Sequence, residues 1–319
     1  MKVLVTRELP KHTQNRLEKQ DLELIQWKKD CTIPRDTLLN WVKGVDAIIC
    51  LLTDKIDKEL LDHAGPQLKV VATVSIGYDH CDITELRARN IQIGYTPDCL
   101  TDATADLTLL LVLAASRCFK EGIRAAENGE WREWRPNWLL GSQFSGKTLG
   151  VIGLGRIGQA VAKRLKAFGI TRILYHGRSQ KPQAESELGA EFSSFDNLLK
   201  ESDYITVCCA LTPETQNLFD YVAFSKMKST AVFVNTARGG IVKQDDLVRA
   251  LDEKLIAAVG LDVTTPEPLP TDHKLYQFNN CIILPHVASA TEETREKMAS
   301  MALDNVLAAV QGQRIPYGV

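Results

Sequence analysis

A chain of 319 residues is long enough to bury two separate cores, and its 38 Lys and Arg against 40 Asp and Glu leave a net charge of −2. So even a balance, with no basic block, excludes a nucleic-acid or anionic-membrane surface and points to a small-molecule partner. The start MKVLVTRELP is not a secretion signal, the end RIPYGV is not an organelle address, and no apolar run reaches about 18 residues, so a cytoplasmic protein without a membrane span is expected.

In chain order, KVLVT, LELIQW, DAIICLL, KVVATV and IQIGYTP read as strands, each followed by a polar or helical stretch. Strict alternation of this kind predicts a parallel sheet covered on both faces. Residues 102–128 read as one long helix around LTLLLVLAASRCF, and the aromatic loop WREWRPNWLLG follows. Six more strands come next: TLGVIG, RILYH, YITVCCA, AVFVNTA, AAVGLDV and CIILPH. Six make a full doubly wound sheet. A last helix over 291–311 returns to the first domain, so the expected domains are 1–101 with 288–319, and 102–287. The active site is expected in the cleft between them, at the C-terminal strand ends. The eight cysteines are scattered without metal-ligand spacing, so no metal is expected and most should be buried thiols of a reducing compartment.

The stretch GSQFSGKTLGVIGLGRIG carries two phosphate-binding signatures end to end. Gly141 to Thr148 satisfies the loop of nucleoside triphosphatases, and Gly153 to Gly158 satisfies G-x-G-x-x-G. Each works only between a strand and a helix whose N-terminal amides meet the anion. WREWRPNWLL before Gly141 is no buried strand, and TLGVIG after it is no helix, so the first signature fails. The second is entered by TLGVIG and left by IGQAVAKRLKAFG, with Ile157, Val161, Leu165 and Phe168 at helical spacing.

The later strands end in polar residues that core packing does not explain: Arg238 after AVFVNTA, Asp262 after AAVGL, His286 after CIILP, and Glu267 in TTPEPLP. Singly they also read as a surface cation, a turn cap, a satisfied histidine and a solvated charge. Sharing one sheet edge with the glycine turn, they read together as a site. His12, His63, His80 and His273 lie in polar or turn-like surroundings and read as structural or solvated.

VSIGYDHCD (74–82), VIGLGRIG, NTARGGIVKQDDL (235–247), GLDVTTPEPLP (260–270) and LPHVASAT (284–291) occur in the order and spacing of the D-isomer-specific 2-hydroxyacid dehydrogenases, which this chain resembles along essentially its whole length. The aromatic loop and the last two motifs look most like the eukaryotic glyoxylate reductase/hydroxypyruvate reductase branch. The resemblance implies a Rossmann nucleotide domain plus a smaller flavodoxin-like α/β substrate domain built from both chain ends. It implies a small 2-keto or 2-hydroxy acid substrate and a catalytic Arg238, Glu267 and His286. Substrate would also be met by the backbone of Ser75, Ile76 and Gly77, by Ser289 and by Trp134. A homodimer contact through 102–145 is implied as well, Trp134 or Trp138 reaching towards the partner. Many relatives have Pro where Ala210 follows Cys208-Cys209. Phosphoglycerate-type dehydrogenases and a non-catalytic co-repressor of the same fold are the alternatives; a formate-type enzyme, which would pair its histidine with an amide, is disfavoured by Glu267.

The chemistry agrees with this set. A planar, always-charged guanidinium at Arg238 can fix a keto acid's carboxylate and carbonyl together. His286 can move the proton near neutral pH, with Glu267 favouring the imidazolium. The cofactor is expected to meet Gly153, Gly155, Arg156, Ile157, Gly158, Gly177, Arg178, Ser179, Thr236, Ala237, Asp262 and His286. Past RILYH there is no acid before Glu185 to hold a ribose 2′-hydroxyl, and Arg178, Ser179 and the nearby Lys181 offer phosphate chemistry instead. NADP(H) is therefore expected in preference to NAD(H).

Overall fold

Short apolar runs bounded by polar turns become the strands of two all-parallel sheets in the computed structural model, which describes residues 1–319. The chain divides into two units, Met1–Leu100 with Ser289–Val319, and Thr101–Ala288.

In the first unit β1 (Lys2–Val5), β2 (Glu23–Gln26), β3 (Ala47–Cys50), β4 (Val70–Thr73) and β5 (Gln92–Gly94) lie in the order β2-β1-β3-β4-β5. That is the flavodoxin order. Every residue of β3 and β4 is buried, whereas the edge strand β2 is half-exposed. This is the pattern of a sheet with helices on both faces. The crossovers are α1 (Lys11–Glu18), α2 (Arg35–Trp41), α3 (Lys58–Ala64) and α4 (Ile83–Ala88), the last two opened by the side chains of Asp57 and Asp82. The C-terminal helix Glu292–Val310, capped by Thr291, packs on β3, β4 and α1. Arg16 meets Asp304 at 2.6 Å, and the Thr13 amide donates to Glu296 at 2.7 Å. Both ends of the chain thus build this unit.

The second unit opens with α5 (Thr101–Ser116) and α6 (Phe119–Glu127). The single helix expected over 102–128 is broken at Cys118, whose φ of 51° is left-handed; apolar periodicity runs through the break and does not register it. Then come β6 (Thr148–Ile152), α7 (Arg156–Ala167), β7 (Arg172–His176), α8 (Pro182–Leu188), β8 (Ala190–Phe192), α9 (Phe195–Glu201) and β9 (Tyr204–Val207). They are followed by α10 (Tyr221–Ser225), β10 (Val232–Asn235), α11 (Gln244–Asp252), β11 (Ala258–Leu261) and β12 (Cys281–Ile283). The order β12-β11-β10-β9-β6-β7-β8 is the doubly wound arrangement with one strand more than expected. The extra strand is β8, a three-residue edge with only Ala190 buried, too short and too exposed to leave an alternating signal.

Residues of α5 facing α7, β10 and β11 are buried, and a second core beneath the other face centres on Phe233, whose ring lies 4.8 Å from Phe219 and 5.5 Å from Phe224. Gly141 to Thr148 is an irregular approach to β6 with no helix after it, so the triphosphatase signature has no structural counterpart. Phe168, expected on the buried stripe of α7, is half-exposed at its C-cap and touches only the edge of Phe144. No helix is long and apolar enough to cross a membrane.

Candidate active site

The strand order reverses between β6 and β9, and the glycine turn sits at the C-terminal end of β6. Gly153 has φ of 93°, and a Cβ there would stand 2.8 Å from the backbone of Cys209. A Cβ on Gly158 would stand 2.2 Å from the Gly153 carbonyl oxygen, so that glycine lets the helix start close to the strand. At Gly155 a Cβ would meet nothing, which leaves the mouth of the turn clear. No side chain caps α7 and no acid lies in its first turn. Its leading amides, from Arg156, Ile157 and Gly158, therefore suit a pyrophosphate, and these residues fit a dinucleotide.

β7 delivers the next residues. Gly177 is half-buried, whereas Arg178 and Ser179 are exposed. Glu185, the first acid beyond the strand, takes a hydrogen bond of 2.5 Å from the Tyr175 hydroxyl, so it is engaged inside the unit. In the loop after β9, Glu214 is held below its ordinary value, chiefly by its hydrogen bond with Thr212. In that loop, where Ala210 stands at the position many relatives fill with proline, Thr215 Oγ1 donates to the Ala210 carbonyl at 2.7 Å and accepts from the Thr212 amide at 2.8 Å.

Three neighbouring strands supply the catalytic candidates. β10 ends in buried Asn235, whose Oδ1 accepts from the Ala237 amide at 3.0 Å and whose Nδ2 donates to the Arg238 carbonyl at 2.8 Å. This side chain folds the turn that presents half-buried Arg238. Thr236 is fixed separately, its hydroxyl 2.8 Å from that of Thr108. The next residue, Gly239, packs so closely that a Cβ would lie 1.9 Å from the Thr264 carbonyl oxygen. The Arg238 turn and the loop carrying Glu267 are thereby locked together. Gln244 holds the same loop from the other side, accepting from the Thr265 amide at 3.0 Å.

Glu267 accepts from the Thr264 amide at 3.0 Å through Oε1, and its Oε2 lies 2.8 Å from His286 Nδ1. Burial pushes the Glu267 carboxyl up, but the His286 bond and charge, the Thr264 amide and Arg238 outweigh it and hold the group below its ordinary value. The contribution of the ionised carboxylate to stability is therefore present above the ordinary range and is lost only as pH falls through that lowered value.

His286 has a left-handed φ of 56°. Its amide donates to the Asp262 carbonyl at 2.9 Å, and the Asp262 carboxylate accepts from Val287 and Ala288, each at 2.8 Å. Asp262 is 1% exposed. Burial raises its carboxyl, with the two amides opposing. Expected beside a nicotinamide, Asp262 is seen holding the His286 loop with both oxygens.

In the first unit, Ser75 is buried and its hydroxyl donates to the Gly77 carbonyl at 2.6 Å, which curls the loop through Ile76. Ser289 begins the turn into the C-terminal helix, its carbonyl accepting from Thr291. Trp134 is 83% exposed, and in the loop around it only Trp138 and Leu139 are half-buried, Trp138 with the Arg135 guanidinium 3.6 Å over its ring. Its end is tied back, the Ser142 amide donating to the Ser116 carbonyl at 2.9 Å, while Trp131 and Trp134 stay exposed. Sequence reasoning does not reach Asn235 and Gln244; a polar residue closing an apolar strand, as in VFVN, is the one signal that could mark the first.

Partial charges for a dinucleotide and a carboxylate-histidine pair on one strand edge define a nicotinamide-dependent oxidoreductase. Residues 109–288 match the model of the D-isomer specific 2-hydroxyacid dehydrogenase, NAD binding domain, and the chain belongs to that family. The glyoxylate reductase/hydroxypyruvate reductase of Homo sapiens is 49% identical over 317 residues, spanning 99% of this chain and 97% of the human one. A crystal structure of a Thermus thermophilus protein superposes with a TM-score of 0.93 at 45% identity, covering 100% of both chains. The NADPH-dependent glyoxylate/hydroxypyruvate reductase of Sinorhizobium meliloti, solved with NADP and malonate, superposes with a TM-score of 0.86 at 30% identity over 100% of this chain and 96% of that one.

Replacing Asp262 by Asn leaves one of the two amides facing a donor, an unpaired polar group worth about 1–3 kcal/mol. Chemical denaturation of Asp262→Asn should show a loss of that size, together with a fall in kcat. A wild-type transition midpoint would contradict the role given to this carboxylate.

Proposed function

We propose that this chain reduces glyoxylate and hydroxypyruvate to glycolate and D-glycerate with NADPH. The 2.8 Å contact between His286 Nδ1 and Glu267 carries the reading: it directs one ring nitrogen to a carboxylate and leaves Nε2 for the keto oxygen. A bound nicotinamide supplies the hydride. Everything else falls to the protein. Arg238 fixes the carboxylate and carbonyl of the keto acid, His286 gives its proton to the carbonyl oxygen as negative charge develops there, and Glu267 stabilises the protonated ring. The backbone of Ser75, Ile76 and Gly77 is assigned to the substrate carboxylate, and Ser289 and Trp134 to substrate contacts, as family resemblance implies. The whole-length likeness to the human reductase supports the choice of acids.

The cofactor preference rests on the end of β7. Arg178 and Ser179 stand exposed with no acid among their immediate successors, and Glu185 is engaged by Tyr175. The 102–287 segment is accordingly the dinucleotide domain, and 1–101 with 288–319 the substrate domain. A homodimer is supported by the apolar side chains left uncovered on the α6 and aromatic-loop region: Phe119 at 54%, Leu140 at 68%, Trp131 at 69% and Trp134 at 83% exposed.

His286→Ala should lower turnover of hydroxypyruvate by about 10² to 10⁴-fold while NADPH binding survives. In the same assay series, Glu267→Gln should retain activity at acidic pH and lose it earlier than wild type as pH rises, since the group that favours the imidazolium is gone; superimposable pH profiles would disprove the pair. A charge-assisted contact is worth roughly 1.5–3 kcal/mol, and screening at an exposed site puts Arg178 at the low end. Arg178→Ala should therefore raise the NADPH KM by about tenfold with little change for NADH. Equal use of both cofactors by wild type would refute this. Sedimentation at micromolar concentration should give a dimer, and Trp134→Ala should weaken it.

A further inference from the structure

Cys50, His80 and Cys81 form a second chemical cluster, within the first unit and apart from the dehydrogenase residues. Cys50 ends β3, and His80 with Cys81 closes the stretch between β4 and α4. Their ligand-capable sulfur and nitrogen atoms all lie within 4.8 Å of one another. Cys50 is fully buried, Cys81 is 7% exposed and His80 is half-buried. Cysteine spacing along the chain gives no sign of this grouping, because Cys50 and Cys81 lie 31 residues apart. β3 and β4 are hydrogen-bonded neighbours with Cys50 opposite Thr73, and Ile56 bridges Cys81. The backbone bonds Ile56 N to His80 O at 2.9 Å and Asp82 N to Ile56 O at 2.8 Å fix the His80–Cys81 stretch against the segment that follows Cys50. Residues thirty apart in sequence meet because adjacent strands end at the same level.

We infer that Cys50, His80 and Cys81 form a Cys2His site for a thiophilic divalent cation of the Zn2+ type. Two sulfurs and an imidazole match the donor preference of such ions, whose bonds of about 2.0–2.3 Å set tetrahedral edges of roughly 3.3–3.8 Å. The existing cluster needs only side-chain contraction to reach them, and a fourth position is left for water. The surroundings suit a cation. Asp54, 2% exposed, has an Oδ1 with no hydrogen-bond partner. An outer partner is in place too: His80 Nε2 lies 2.9 Å from Thr73 Oγ1, which lies 2.7 Å from Ser75 Oγ. Ligation would tie the end of β3 to the segment before α4 and brace the Ser75–Gly77 loop that runs between them.

Anaerobic titration of the reduced full-length protein with Co2+ tests this without any assay of activity. One equivalent per chain should give the intense ligand-field and sulfur-to-metal bands of tetrahedral thiolate coordination, Zn2+ should bleach them, and Zn2+ should raise the thermal midpoint. Cys81→Ser and Cys50→Ser should lose both signals, and Cys31→Ser, which alters an exposed thiol of the same unit, should keep both. Should a buried-cysteine variant fail to fold, His80→Asn serves in its place, with at least a tenfold weaker uptake expected by circular-dichroism-verified folded protein. No tetrahedral bands in wild type, or bands that survive Cys81→Ser or His80→Asn unchanged, overturn the assignment.

Discussion

A buried carboxylate just past the end of β11 holds the candidate site in shape. Asp262 commits both oxygens to the amides of Val287 and Ala288, and its carbonyl takes the amide of His286. Three bonds from one residue hold the chain leaving β12 in a left-handed turn at His286. In that conformation the imidazole faces Glu267, and the acid-base pair exists because the turn does. An ionised group this buried is costly unless its oxygens are satisfied; here the satisfied oxygens and the positioned histidine are the same arrangement.

The remaining parts follow the same use of strand ends. Asn235 bends the exit of β10 around Arg238, Gly239 lets that turn lie against Thr264, and Gln244 pins the neighbouring backbone at Thr265. Arg238 and His286 are each positioned by a side chain at a strand end, Asn235 and Asp262. On the other side of the switch point the glycine turn offers bare amides at the start of α7 with the space at Gly155 clear. The glycine turn and the Glu267–His286 pair thus belong to one sheet, which would hold a bound cofactor and the imidazole as fixed centres. In the first unit the same rule produces a different result: β3 and β4 end together, and two cysteines and a histidine that no linear pattern connects come within 4.8 Å.

The sequence alone determined the alternation of strands and helices, the choice between two overlapping phosphate signatures, and the residue types at the strand ends, because each depends on local period and on immediate neighbours. It marked Arg238, Glu267 and His286 by their position after apolar runs. Only the tertiary structure decided how these side chains are held, since the partners of His286 lie 19 and 24 residues away, at Glu267 and Asp262. The break at Cys118 and the edge strand β8 escaped for related reasons: a single left-handed residue does not disturb a hydrophobic stripe, and three mostly exposed residues have no stripe to read. Burial, register and the meeting of strand ends are properties of the sheet as a whole, and the cluster at Cys50, His80 and Cys81 could be found nowhere else.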